Sequence, residues 1–254
     1  MSHRDIEALH RRVSVDATYQ ANRTVALLSR MFNLSVRWGW RADNPAKGIE
    51  RNQEERRHRY LSANELARLT AALAEHPDRQ AANVFHLLLL TGARRGEVLA
   101  CRWDDLNLTA GVWVKPGATT KQRTLHRVPL SAPARQLLAD LYAERDGSEY
   151  VFPGRVVGGH RVEVKVAWAA ICKAASIKDL RIHDLRHSFA SELVSAGFSL
   201  PIVGGLLGHS TPTTTHRYAH LADDPLRQAT ERVGAVITSA GMSAEIAPFQ
   251  KTGQ

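Results

Sequence analysis

Cysteine is scarce: Cys101 and Cys172 are the only two in 254 residues. They lie far apart with no neighbouring ligand pattern, which argues against a disulfide framework or a zinc knuckle and leaves two ordinary buried thiols. Long apolar runs are missing as well. Nothing approaches the ~18 residues that a membrane span needs, and the opening MSHRDIEALHRR has no apolar stretch of the signal-peptide kind. A cytoplasmic protein without membrane contact is expected. Acidic side chains are outnumbered, 25 Asp and Glu against 34 Lys and Arg, so the net charge is +9 and the isoelectric point near 10.0. That balance favours a polyanionic partner, with DNA, RNA and an anionic surface all open at this level. With 44% hydrophobic residues, the chain can build one well-packed domain and a small accessory unit.

Residues 19–38 place Val25, Leu28, Phe32 and Val36 at helical spacing, closed by Gly39. Arg23, Arg30 and Arg37 recur every seven residues on the opposite side, a basic ridge suited to tracking phosphates, although most such stripes are merely solvated faces. From Lys47 to Tyr60 the sequence is charged and almost free of apolar residues, which predicts an exposed connection. Ser62 with Glu65 predicts a capping box and a helix to about Glu75, and the apolar run Ala82–Leu90 predicts a buried helix ended by Gly92. Residues 104–130 alternate between turn signals, as a small antiparallel meander does. Helices are expected again from about Ala132, then near 163–175, 183–196, 200–207, 212–221 and 225–239.

Three segments gather phosphate-binding and proton-carrying side chains near predicted helix ends: TGARRGEV at 91–98, HDLRHSFAS at 183–191 and LGHSTPTTTHRYAHL at 207–221. His183 and Arg186, three apart, share a helix face. Arg94 follows the Gly92 break, with Glu97 three residues on and able to orient its guanidinium. Two arginines at that spacing could clamp one phosphate, with Tyr218 in the third segment facing it. Each feature alone has a plain alternative. Arg94 could simply pair with Glu97, and Tyr218 could be core packing. The His183/His187 and His216/His220 pairs have metal-ligand spacing without a HExxH context, and Asp104–Asp105 and Asp223–Asp224 suit turn caps better than a two-metal site.

Together these segments resemble the tyrosine recombinase (phage integrase) family: an arginine in a TGxRxxE setting, an HxxR pair, an LGH segment and a tyrosine in an RYAH-like stretch, in family order. The resemblance covers about residues 15–240. It implies a mainly α (α+β) fold, a helical catalytic domain with a small antiparallel β-sheet, preceded by a shortened helical DNA-binding domain. By the same token residues 1–50 would be a partial core-binding domain, 51–60 a linker, 61–240 the catalytic domain and 241–254 a flexible tail. Arg94 and Arg186 match the phosphate-binding arginines, His183 and His209 the paired histidines, Tyr218 the nucleophile, and Glu97 the acidic support of Arg94. The family lysine of the strand turn matches Lys121 in ATTKQRTLHRVPL, with Lys115 the weaker alternative.

The implied reaction is site-specific cleavage and rejoining of double-stranded DNA through a 3′-phosphotyrosine bond, without metal or cofactor. His183 is a candidate acceptor for the tyrosine proton, Lys121 the donor to the leaving 5′-oxygen and His209 a hydrogen-bond donor to the phosphate. Leu226, Ala229, Val233 and Ile237 on the last helix would help link subunits of a homotetramer assembled on DNA, with accessory DNA-bending proteins as further partners. The chain departs from the family in its short N-terminal clamp. Two other functions fit the same residues: a truncated integrase that only binds DNA, and a type IB topoisomerase-like enzyme that shares the tyrosine chemistry.

Overall fold

The computed structural model describes residues 1–54, 57–117, 124–221 and 223–239. The chain forms two compact units, Met1–His58 and Arg59–Gln254. The first is built on α1 (His3–Ser14) and α2 (Thr18–Arg37). Ser2 starts α1 with a reciprocal cap, its hydroxyl accepting from the Asp5 amide while the Asp5 carboxylate accepts from the Ser2 amide. Ile6, Val25 and Ala46 form a small core edged by Leu28, Phe32 and Ile49. The apolar positions of α1 are few and its charges many, so its periodicity is faint in the sequence. Asn52, inside the stretch expected as linker, is fastened to this unit. Its amide N–H donates to Asn22 Oδ1 (2.9 Å) and its side chain to Ser14 Oγ (2.8 Å). Arg23, Arg30 and Arg37 are exposed along α2, on the face away from buried Val25, and Arg23 pairs with Glu54 at 3.4 Å.

The second unit runs α3 (Ala63–Glu75), α4 (Arg79–Thr91), α5 (Arg95–Leu99), β1 (Leu106–Asn107), β2 (Val112–Lys115), β3 (His126–Pro129) and α6 (Ala132–Ala143). It continues with α7 (Lys165–Ala174), α8 (Ile182–Ser195), α9 (Leu200–Leu207), α10 (Pro212–Thr215), a 3-10 turn (His216–Leu221) and α11 (Asp223–Ser239). Buried Ala82, Val84, Phe85, Leu87 and Leu88 make α4 the central helix, apolar on most of its circumference. Phe85 packs on Trp168 with ring centroids 4.7 Å apart, and the Trp168 indole N–H donates to the Leu180 carbonyl (2.9 Å), so α7 is seated on α4 by both area and a polar pin. The capping box at Ser62 and Glu65 is formed.

The three strands make one antiparallel sheet in the order β1-β2-β3. Its register opposes Trp113 to Val128 and Lys115 to His126. Strand alternation turns both Trp113 and Lys115 inward, so a lysine enters the interior beside a tryptophan. One expected helix is divided. Residues 212–221 form the single turn α10 and then the 3-10 turn rather than one α-helix. Thr213, Thr214 and Thr215 are β-branched and weak helix formers, and the buried Tyr218 ring fixes the local path. No helix among the described residues is long and apolar enough to cross a membrane.

Gly92 ends α4 in the left-handed region, φ 60°, where an added Cβ would lie 2.4 Å from Phe189 Cδ1 and 3.0 Å from Leu207 Cδ2. Gly92→Ala is therefore expected to cost about 2–4 kcal/mol, backbone strain plus overpacking, read as a lower denaturant midpoint in guanidinium chloride.

Candidate active site

The tight ending of α4 at Gly92 throws the chain directly into Arg94, which is the N-cap of α5. Glu97, one turn into α5, accepts from the Arg94 amide (3.1 Å) and from Arg94 Nη1 (2.6 Å). Its other neighbour is Lys115, whose Nζ donates to Glu97 Oε2 at 2.7 Å and lies 4.3 Å from the Trp113 ring centroid. One carboxylate thus serves two cations. The Glu97 side chain is only 5% exposed and that of Lys115 only 2%, against 26% for Arg94, so Arg94 alone of the three reaches outward. Burial pushes the Glu97 carboxyl up, but the Lys115 charge and the hydrogen bonds from Lys115 and Arg94 outweigh it and bring it to about 2. Burial also lowers Lys115, against the pull of Glu97.

Arg186 comes from α8 and is 4% exposed. Its Nη1 donates to the Gly92 carbonyl (2.8 Å) and its Nη2 to the Leu207 carbonyl (2.7 Å). These are orphan acceptors at the C-terminal ends of α4 and α9, so one guanidinium ties three helices together. Burial and the nearby Arg94 charge lower Arg186 to about 10, which leaves it a cation at neutral pH. Among the described residues, two of its five N–H groups are used, both on these carbonyls.

Gly208, also left-handed at φ 66°, ends α9 and delivers His209. The His209 Nδ1 pairs with Thr215 Oγ1 at 2.8 Å. Burial first, then the charges of Arg186 and Arg94, lower His209 to about 4, so it is a neutral imidazole at physiological pH. When Nδ1 accepts the threonine hydroxyl, Nε2 carries the proton and can donate it. His183, in the first turn of α8, is lowered by burial and by the Arg186 and Arg94 charges. Beside these residues opens a cleft of about 550 Å³ with Arg95, Lys165 and Arg181 among its lining and His183 and Arg186 on its wall. Such a concavity suits an anionic ligand.

Arg94, Glu97, Arg186, His183 and His209 are therefore brought together from three segments. Tyr218 approaches them, close enough for the Arg186 charge to act on it, but it is 1% exposed among Ala190, Val194, Val203 and Leu207. Its hydroxyl is 2.6 Å from His187 Nδ1, not bonded to His183. Burial pushes the phenol up to about 12. Lys121 lies outside the described residues, and Lys115, its alternative, is committed to Glu97. Two participants escape a motif reading. His187 carries no sequence signal beyond its spacing from His183. His126 Nε2 pairs with the Gly205 carbonyl (2.8 Å) and its ring lies against Gly208, linking the sheet to the His209 turn. Only strand register, which sets His126 opposite Lys115, could have signalled it. Among the described residues no cluster of three His, Cys, Asp or Glu side chains could hold a metal ion.

Residues 59–224 match the sequence profile of the phage integrase family. The chain is 32% identical over 221 residues to the shufflon-specific DNA recombinase of Escherichia coli, covering 83% of this chain and 55% of that protein. It is 32% identical over 226 residues to the tyrosine recombinase XerC of Xylella fastidiosa strain M23, covering 85% and 74%. The match takes in 53% of the corresponding protein of Xanthomonas axonopodis pv. citri strain 306, so the chain spans little more than half the length of some of these relatives. Among solved structures, the Tn1549 transposon integrase in complex with transposon right end DNA superposes with a TM-score of 0.75 at 19% identity, over 92% of this chain and 86% of that one. A lambda integrase dimer bound to a COC′ core site gives 0.67 at 19% identity, over 84% and 81%. These two likenesses bear on the fold.

Glu97 links folding to pH with a definite sign. Its folded pKa lies below the ordinary 4.5, so the stability it contributes is full above that value and is lost as pH falls toward 2. Glu97→Gln is expected to flatten the loss of stability across that window and, by stranding Lys115, to cost about 3–5 kcal/mol at neutral pH, measured by urea titration at a series of pH values.

Proposed function

Because the chain belongs to the phage integrase family, we propose that it is a tyrosine-type site-specific recombinase that cuts and rejoins double-stranded DNA through a 3′-phosphotyrosine. The observation that carries this reading is the convergence of Arg94, Arg186 and His209 upon one cationic site approached by Tyr218. A phosphodiester presents two nonbridging oxygens, and attack concentrates more charge on them. Two guanidiniums held by Glu97 and by backbone carbonyls need no reorganisation to receive that charge.

In the reaction the Tyr218 oxygen bonds to phosphorus, the bond from phosphorus to the 5′-oxygen breaks, and the tyrosine proton passes to His183. The leaving 5′-oxygen takes a proton, the task assigned to Lys121. His209, neutral and fixed by Thr215, donates through Nε2 to a nonbridging oxygen, and His183 flanks the same site from α8. The ester keeps the energy of the broken bond, so an incoming 5′-hydroxyl can reverse the step without ATP.

The first unit, roughly the expected core-binding domain, would grip the backbone through Arg23, Arg30 and Arg37. Their exposure in one row supports this. The enzyme would act in the cytoplasm as a homotetramer on DNA. Support for assembly comes from α11, where Leu226, Val233 and Ile237 are 64%, 59% and 46% exposed, an apolar stripe with no counterpart in the described part of its own unit.

A nicked suicide substrate decides the chemistry. The wild type should leave a protein–DNA adduct on a denaturing gel and Tyr218→Phe none. Arg186→Lys, which keeps the charge but cannot span two carbonyls and a phosphate, should slow single-turnover cleavage by about a hundredfold or more with DNA affinity nearly unchanged. Replacing Arg23, Arg30 and Arg37 together with alanine should reduce the slope of log affinity against log salt by about 2–3, near 0.9 per lost phosphate contact. An unaltered slope would remove the ridge from the interface.

A further inference from the structure

Tyr218 is in an unusual place for a nucleophile. Its ring is 1% exposed, packed on α8 and α9, and flanked by the Tyr60 ring at 6.4 Å. The strap that carries Tyr60 is itself fastened to α8, where the Leu61 amide donates to Ser188 Oγ (2.9 Å). Within this apolar seat the phenol has, among the described residues, one hydrogen-bond contact, His187 Nδ1 at 2.6 Å. The His187 and His183 rings stand nearly perpendicular with centroids 4.9 Å apart, so His187 contacts both the first turn of α8 and the tyrosine.

We propose, on the recombinase reading above, that His187 is a positioning residue for Tyr218: it accepts the phenolic hydrogen bond and keeps the nucleophile in a closed seat from which it must be released to reach a phosphate on Arg94 and Arg186. His187 fits the role of holder better than that of proton acceptor. Burial lowers it to about 4, while burial raises Tyr218 to about 12, so passing the proton from the phenol to the imidazole is disfavoured at both ends. Around His187, His183, Arg217 and Arg186 oppose a charge and Asp184 favours it; around Tyr218, Arg217 and Arg186 lower the phenol and Tyr60 raises it, without offsetting burial. A neutral imidazole accepting a neutral hydroxyl is what remains. Such a bond removes the desolvation penalty that a buried, unmatched hydroxyl would carry, and so the closed seat depends on it.

The test has two arms. Tetranitromethane modifies accessible tyrosines, and in the DNA-free wild type Tyr218 should resist it while Tyr19 and Tyr142, 49% and 44% exposed, react. His187→Leu removes the acceptor and should expose Tyr218 to nitration and speed single-turnover cleavage of the suicide substrate about fivefold to a hundredfold, the factor by which an unmatched hydroxyl weakens the closed seat. His187→Asn, whose amide oxygen can replace Nδ1, should restore both the protection and the slower rate. Cleavage unchanged or slowed in His187→Leu would overturn the proposal. Should that variant fail to fold, the wild-type nitration pattern decides: Tyr218 modified as fast as Tyr19 overturns the closed seat. Absence of any wild-type adduct would instead strike at the recombinase reading, and the nitration arm would still report on the seat.

Discussion

The second unit is organised around one buried cation. Arg186 is 4% exposed and donates to carbonyls at the ends of two helices, Gly92 of α4 and Leu207 of α9. Those carbonyls lack helical partners, and an unmatched buried acceptor is costly, so the guanidinium and the two helix ends need one another. The left-handed glycines at 92 and 208 follow from this arrangement. Each stops a helix abruptly enough to aim its last carbonyls at Arg186 and to send the next functional side chain, Arg94 or His209, into the same space. The residue that would receive a phosphate is thus also the one that sets the distance between the segments carrying its companions.

Concentrating positive charge in a protein interior has to be offset. Burial lowers both Arg186 and Lys115, and the neighbouring positive charges, Arg94 on each and Arg186 on Lys115, add to it. Glu97 is the anion that makes the cluster tolerable. It joins Lys115 on the sheet to Arg94 on α5 and leaves a net positive field toward the cleft. A phosphate would enter a site whose cations are already in position and short of negative charge, the condition under which electrostatic stabilisation of a transition state is most effective.

Tyr218 obeys a different constraint. Burying Tyr218 gains apolar contact and fixes the path of a segment, residues 213–221, that is weakly helical on its own. The same burial raises the phenol and hides its oxygen. Stability of the resting fold and readiness for attack therefore pull in opposite directions at this residue, and the contact with His187 is where they meet.

Much of this was legible in the chain itself. Short-range patterns mark the cap at Ser62, the apolar α4, the glycine stops and the periodic face of α2, because each depends on residues within a few positions of one another. The pairing of Arg94 with Glu97 was readable from their spacing. What only the tertiary structure decided is which atoms those residues satisfy. That Lys115 turns inward to share Glu97, that His126 supports the Gly208 turn, and that the Tyr218 hydroxyl rests on His187 rather than His183 all depend on contacts between segments distant in sequence. Local periodicity says which face of an element is apolar; the partner of a buried polar atom is chosen by packing, and no local pattern encodes it.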